Sequence, residues 1–157
     1  MKRTLRNQTP QVDPSAFIAE TAVLIGDVTV GADSSVWYNA VLRGDAGSIV
    51  IGRQSNIQDQ CLLHDRVTVG DRVTVGHQVI LHGCTIADDA LIGMGSIILS
   101  GCHIGQGALV AAGSLLLTDT VVEPYTLVAG RPAVFEKYLE PDRIARNARS
   151  AQHYVEI

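Results

Sequence analysis

An aliphatic residue stands at every sixth position of this chain from Val12 onward: Val12, Ile18, Leu24, Val30, Val36 and Leu42. The register slips by three residues through Gly44–Ser48 and resumes at Ile51, Ile57, Leu63, Val69, Val75 and Leu81. One residue is dropped near Gly83-Cys84-Thr85, and Ile86, Ile92, Ile98, Ile104, Val110, Leu116, Val122 and Val128 complete the series. The next position is often Gly or Ala, and four residues after an anchor small or β-branched residues recur, as at Ala22, Ala40, Val73, Ser96 and Ala108. An amphipathic helix repeats its apolar positions at three and four residues, and a half-buried strand at two. A period of six suits a two- or three-residue strand plus a turn, with one aliphatic side chain inward and small residues at the corner. Three such units make a coil of about eighteen residues, and coils stack through parallel strand pairing at about 4.8 Å. Each coil buries its aliphatic side chains only against its neighbours. The pattern predicts an all-β solenoid, a parallel β-helix of about seven coils.

The six-residue pattern stops after Ala133. Residues 1–133 are expected to form the β-helix domain, and 134–157 a linker and a C-terminal α-helix packed on the β-helix or on a neighbouring subunit. From Pro141 the spacing is helical: Ile144, Ala148, Ala151 and Val155 share one face. Pro141 suits a first helical position, so the helix is read as 141–155. Arg143, Arg146 and Arg149 mark its other face, read as a solvated basic stripe.

Composition narrows the class. A chain of 157 residues has room for one domain, and 4% aromatic residues imply a core of Val, Ile and Leu. A net charge of -4 leaves no basic footprint for nucleic acid. No apolar run approaches the roughly 20 residues of a membrane span, and Met1 to Pro14 lacks the apolar stretch of a signal peptide. Three cysteines, an odd number, favour a reducing compartment. The expectation is a soluble cytoplasmic protein. Cys61 and Cys102 occupy corner positions and are read as small buried hydrophobes.

The histidines carry the candidate chemistry. His64 and His82 follow anchors Leu63 and Leu81 and are one coil apart in sequence, so they stack on one face about 4.8 Å apart. That spacing suits two ligands of one metal ion, since each zinc-bound nitrogen lies ~2.0–2.1 Å from the metal. His77 belongs to the preceding face, about 16 Å from His82 along the extended chain. One chain cannot bring all three together. A threefold homotrimer lays one face of each subunit against an adjacent face of the next, so His77 from a neighbour can meet His64 and His82, giving three sites per trimer. A single histidine used as a general base for acyl transfer is the alternative use of the same residues. His103 and His153 read as surface residues.

Polar residues flank this set. Arg43 follows anchor Leu42 and stacks one coil before His64 if the three-residue slip is a corner bulge. Asp45 lies in that bulge, and Asn56-Ile57-Gln58-Asp59 occupies the next coil. Arg43 with two carboxylates could form an interface pair that sets register, and Gln58 could bond a metal-held water. A structural role for Arg43 and Asp45 stands beside a chemical one. Trp37, the only tryptophan, packs either at an interface or under the C-terminal segment.

The segments Trp37-Tyr38-Asn39-Ala40-Val41-Leu42-Arg43-Gly44-Asp45, Asn56-Ile57-Gln58-Asp59, His64, Val75-Gly76-His77 and Leu81-His82-Gly83-Cys84 resemble the γ-class carbonic anhydrases, over about Val12 to Ala133. The resemblance implies a left-handed β-helix trimer with a zinc ion, or Fe2+ or Co2+, at each subunit interface. It implies His64, His77 and His82 as ligands, Gln58 beside the metal-held solvent, and Arg43, Asp45 and Asp59 in an interfacial network. The implied reaction is the hydration of CO2 to bicarbonate by a metal-activated hydroxide, with no nucleic acid or membrane partner. Two departures lower the expected turnover. Some competent relatives carry a glutamate where this chain has Ala46, and an acidic insertion where only Asp65-Arg66-Val67-Thr68 separates His64 from Val69. A hexapeptide acyltransferase or thioester hydrolase, and a catalytically weak metal-binding trimeric scaffold, remain open at this level.

Overall fold

Two-residue strands form at the anchors because one inward aliphatic side chain and two backbone hydrogen bonds are all that a side of a small triangular coil can hold. In the computed structural model, which describes residues 1–157, the strands Asn56–Ile57, Thr74–Val75, Leu91–Ile92 and Leu109–Val110 lie one above another, each paired in parallel with the next. They belong to an eight-stranded sheet that makes one face. The other two faces are joined into a twelve-stranded sheet, because the strands Val23–Val30 and Val41–Ile51 continue around a corner. The result is a left-handed parallel β-helix of about seven coils with one C-terminal helix. No helix is long and apolar enough to cross a membrane.

Eighteen of the twenty anchors lie in a single buried cluster, and the first two, Val12 and Ile18, are partly buried against it. Corner positions are filled by small side chains such as Ala22, Ala40 and Cys61, all buried. Where a serine takes the corner, its hydroxyl turns to backbone: Ser34 Oγ donates to Gly52 O at 2.7 Å, and Ser55 Oγ to Gly70 O at 2.8 Å. The turns use left-handed residues stacked in columns, among them Asn39, Gln60 and Gln78 at φ near 60°. Such a conformation is commonest for glycine and short polar residues. Gln78 Nε2 donates to Gln60 Oε1 at 2.8 Å, so one column also bonds laterally.

Both interruptions of the repeat appear as changes of register. Gly26 pairs with Gly44, but Val28 pairs with Ile49, so the three extra residues bulge out at the corner carrying Asp45. Gly44 is required there, because a Cβ would fall on the backbone of Asp27. The dropped residue shows in Thr85 pairing with Thr68 while His82 pairs with His64.

The C-terminal segment departs from the expectation in two ways. Residues 134–157 do not begin with a linker: Ala133–Tyr138 is a strand antiparallel to Thr126–Gly130. The hexapeptide pattern could not reveal it, because Val134, Phe135 and Tyr138 are all more than half exposed. The helix, α1, runs Pro141–Glu156 and lies on its own subunit's eight-stranded sheet. Pro141 begins it, with Asp142 near the positive end of its dipole. Its inward face matches the expected one at Ile144, Ala151 and Val155 and departs from it at Ala148. Asn147 and Ala151 are buried and Ile144, Tyr154 and Val155 half-buried, whereas Ala148 faces solvent. The surface beneath is polar. The sheet presents Ser35, Asn56 and Thr74, all buried, and Thr74 Oγ1 donates to Ser150 Oγ at 3.4 Å. Trp37 packs under this helix, its ring centroid 5.5 Å from that of Tyr154.

One ion-pair group joins coils at a corner. Arg72 Nε donates to Asp89 Oδ1 at 2.7 Å, and Gln106 Nε2 to Asp89 Oδ2 at 3.2 Å. Burial opposes ionisation of Asp89, but these bonds and the Arg72 charge outweigh it and hold the carboxyl below its usual range. A lowered carboxyl stabilises the fold above its unfolded-state pKa and loses that contribution as pH falls through the folded value. Asp89→Asn should therefore cost below about 1 kcal/mol at pH 7, the scale of a solvent-screened pair, and the difference should vanish in acid. Paired denaturation curves across pH 2–7 check this; a gap that does not shrink as the pH is lowered would reject it.

Candidate metal centre

Parallel register builds the site. Strand Val41–Ile51 pairs with Leu62–His64, placing Arg43 beside His64, and Leu62–His64 pairs with Ile80–His82, placing His64 beside His82. The two imidazoles are 5.2 Å apart between centroids. His64 Nδ1 and His82 Nε2 face each other at 3.3 Å. Two nitrogens bound to one tetrahedral zinc ion at ~2.0–2.1 Å stand about 3.3–3.4 Å apart. The pair thus fits two corners of such a site.

Each ring is held from its other side. Asp45 Oδ1 lies 3.0 Å from His64 Nε2, and Arg43 Nη1 donates to Asp45 Oδ2 at 2.6 Å. Burial disfavours the charged form of Asp45, but the bonds to His64 and Arg43 prevail and keep its carboxyl below the usual range. Arg6 Nη1 donates to the Asp45 carbonyl at 3.2 Å, tying the N-terminal segment to the same bulge. His82 Nδ1 meets Ser100 Oγ at 2.9 Å.

His77 stands apart on the adjacent column, its Nδ1 2.9 Å from Asp59 Oδ2. No three His, Cys, Asp or Glu side chains of one chain converge on a single point. Gln58 is buried, and its Nε2 donates to Asn56 Oδ1 at 3.0 Å. Asn56 in turn donates to Thr74 Oγ1 at 3.1 Å. The chain therefore brings together Arg43, Asp45, His64 and His82 as one group and Asp59 with His77 as another, with Gln58 beside the second. Sequence reading missed Ser100, because the coil after His82 is the one that drops a residue: Leu81 pairs with Ile98, which puts Leu99, not Ser100, in register with His82. It also gave Asn56 no task of its own.

The surroundings are open. The concave surfaces of the chain lie at its C-terminal end and along α1, and no histidine lines any of them. The histidine face instead exposes apolar side chains around the polar group, with Leu62 at 40% and Leu117 at 48% exposure and Ile80, Ile97 and Leu99 half-buried. Helix α1 covers a different face.

Comparison with known proteins follows the same lines. Residues 45–146 match the family model described as the GMPPB C-terminal domain. A carbonic anhydrase of Geobacillus kaustophilus is 46% identical over 155 residues, covering 96% of this chain and 85% of that protein. The mitochondrial gamma carbonic anhydrase 2 of Arabidopsis thaliana is 41% identical over 168 residues; the match covers 99% of this chain but 60% of the plant protein. The crystal structure of a hexapeptide transferase family protein from Anaplasma phagocytophilum superposes with a TM-score of 0.97 at 40% identity, covering 99% of this chain and 94% of that one.

The cysteines stand outside the candidate centre. Cys84 is buried in the core two residues beyond His82, and burial pushes its thiol up to about 12. Cys61 is raised to about 12 by the same cause, and Cys102 is raised as well. All three are free thiols. A chromogenic disulfide reagent at pH 8 should react slowly with the native protein and rapidly with three thiols after denaturation. Rapid labelling of one native thiol would show that its side chain is not sealed in the core.

Proposed function

The chain belongs to the γ-class carbonic anhydrase family, and over residues 45–146 to the family described as the GMPPB C-terminal domain, and we propose that it catalyses the reversible hydration of CO2 to bicarbonate at metal sites shared between the subunits of a homotrimer. The observation that carries this reading is the pair of facing nitrogens on His64 and His82, 3.3 Å apart on an uncovered apolar face, with His77 held on a separate column. His64 and His82 of one subunit and His77 of the next hold the ion. Three neutral imidazoles leave a fourth position for solvent and keep the ion's full charge. Zinc fits this donor set, as do Fe2+ and Co2+, with availability choosing among them.

When bound, the ion supplies a hydroxide nucleophile from water at neutral pH. The chain's own residues set the geometry. Asp45, steadied by Arg43, orients His64, and Asp59 orients His77. Gln58, clamped by Asn56, orients the attacking solvent. The apolar face excludes water once a second subunit covers it and accepts a small uncharged substrate. Three free buried thiols suit a reducing compartment, supporting a cytoplasmic location. Acyl transfer is the weaker reading, because it uses a single histidine, whereas His64 and His82 turn one nitrogen each toward a common point at the separation of two metal ligands.

Removing His77 tests the shared site. The wild type should be a trimer by light scattering at low micromolar concentration and carry about one transition metal per chain. His77→Ala should lose most of the metal while keeping the β-helix circular dichroism spectrum, since its aliphatic ladder is untouched. Undiminished metal in that variant would remove His77 from the ligand set, and a fully metallated monomer would end the shared-site reading.

Proton export should limit turnover. Ala46 offers no carboxylate in the bulge, and Asp65 is the acidic residue next to a ligand. Raising the concentration of a small imidazole buffer should raise kcat for CO2 hydration while leaving kcat/KM nearly constant, because the buffer replaces a missing base without altering the attack. A high kcat insensitive to buffer would reveal another relay. No hydration at any buffer concentration in the metallated trimer would favour the scaffold reading.

A further inference from the structure

Each of the three histidines has one ring nitrogen engaged by a partner from its own chain, but the partners are not alike. His64 and His77 face the carboxylates of Asp45 and Asp59, whereas His82 faces the hydroxyl of Ser100 at 2.9 Å. We infer that Ser100 is the positioning residue of His82, its oxygen accepting the Nδ1–H and thereby leaving Nε2, the nitrogen that faces His64, free to bind the ion. This inference rests on the metal-site reading above.

A hydroxyl can act as donor or acceptor, and only one of the two arrangements is compatible with a metal. If Ser100 donated to Nδ1, the ring proton would sit on Nε2 and point at His64, blocking the position of the ion. With Nδ1–H donating to Ser100 Oγ, Nε2 keeps its lone pair. The ring's orientation then follows from where the hydroxyl is held. The Ser100 carbonyl accepts the Asp119 N–H at 3.0 Å, and Gly101 N donates to Gly83 O at 2.8 Å, so the turn carrying Ser100 is pinned to the coils on both sides.

Gly83 makes the contact possible. It sits one residue beyond His82 at φ +61°, and a Cβ there would lie 2.9 Å from Ser100 Oγ and 3.2 Å from Ser100 Cβ. Any larger residue would push the hydroxyl off its line to Nδ1. The glycine therefore serves the ligand as well as the turn. A hydroxyl also leaves His82 a weaker electron donor than the two carboxylate-backed histidines, which makes it the ligand whose orientation most depends on a single neutral contact.

Three variants test this: Ser100→Ala, Ser100→Thr and Gly83→Ala. Each is checked for an intact β-helix by circular dichroism and loaded with zinc. Zinc affinity, measured by competition with a chromophoric chelator, should fall 10–100-fold in Ser100→Ala and recover in Ser100→Thr. Gly83→Ala should reproduce the loss while keeping the serine. In the zinc-loaded wild type, 15N-resolved NMR should place the His82 proton on Nδ1 with slow solvent exchange; Ser100→Ala should lose that protection and Ser100→Thr retain it. Unchanged affinity and an unchanged Nδ1–H signal in Ser100→Ala would overturn the role of Ser100 while leaving the metal centre standing. A wild type that takes up no zinc, iron or cobalt would instead overturn the metal reading itself, and this inference with it.

Discussion

The hydrogen-bond ladder between consecutive coils fixes the position of every functional group in this protein. Because strands pair in parallel and in register, a residue's position within its coil determines its column, and its coil number determines its height. Two histidines eighteen residues apart come to face each other without any loop being shaped for them. The bulge at Asp45 is the one place where the ladder yields. There the extra residues let a carboxylate reach across to His64 and Arg43. A rigid scaffold of this kind holds a site more precisely than loops do, and its limit is equally geometric: columns on different faces of one chain do not meet.

Polar burial is the second theme. Nearly all side-chain polar atoms hidden from solvent have partners, and the exception is Asn147 Nδ2, on the inward face of α1. Beneath the helix, Thr74 receives Asn56, Asn56 receives Gln58, and Thr74 reaches Ser150 on α1 itself. The helix is thus seated partly by hydrogen bonds, which are more directional than an apolar stripe. Gln58 inherits that order: its amide is fixed by neighbours that are themselves fixed. The apolar face carrying His64 and His82 has no such cover within the chain.

The solenoid was legible because its signal is one-dimensional: a period of six, two register errors and a stop. The columns of Arg43, His64 and His82 followed from the same arithmetic, and so did the separation of His77. What escaped has a physical explanation in each case. The return strand Ala133–Tyr138 has exposed side chains, so no burial pattern marked it. Apolar periodicity points Ala148 inward, but the helix turns Asn147 to the sheet and Ala148 to solvent, a rotation that no apolar pattern marks. Ser100 lies one residue past the register partner of His82, because the intervening coil is a residue short, and its residue type does not suggest metal chemistry. The contact of Asp59 with His77 had the eighteen-residue spacing of one coil and continues the register of Ile57 with Val75, so the arithmetic that paired His64 with His82 reaches it too.

The antiparallel return strand also governs how the stack ends. A parallel β-helix has open ends, and each terminal coil presents unpaired N–H and C=O groups that could template another strand. Ala133–Tyr138 occupies that position on the eight-stranded sheet, running opposite to every strand below it. Its reversed direction breaks the addition rule by which the previous coils were laid down. On this one face the strand closes a parallel stack whose internal logic is otherwise that of unlimited growth.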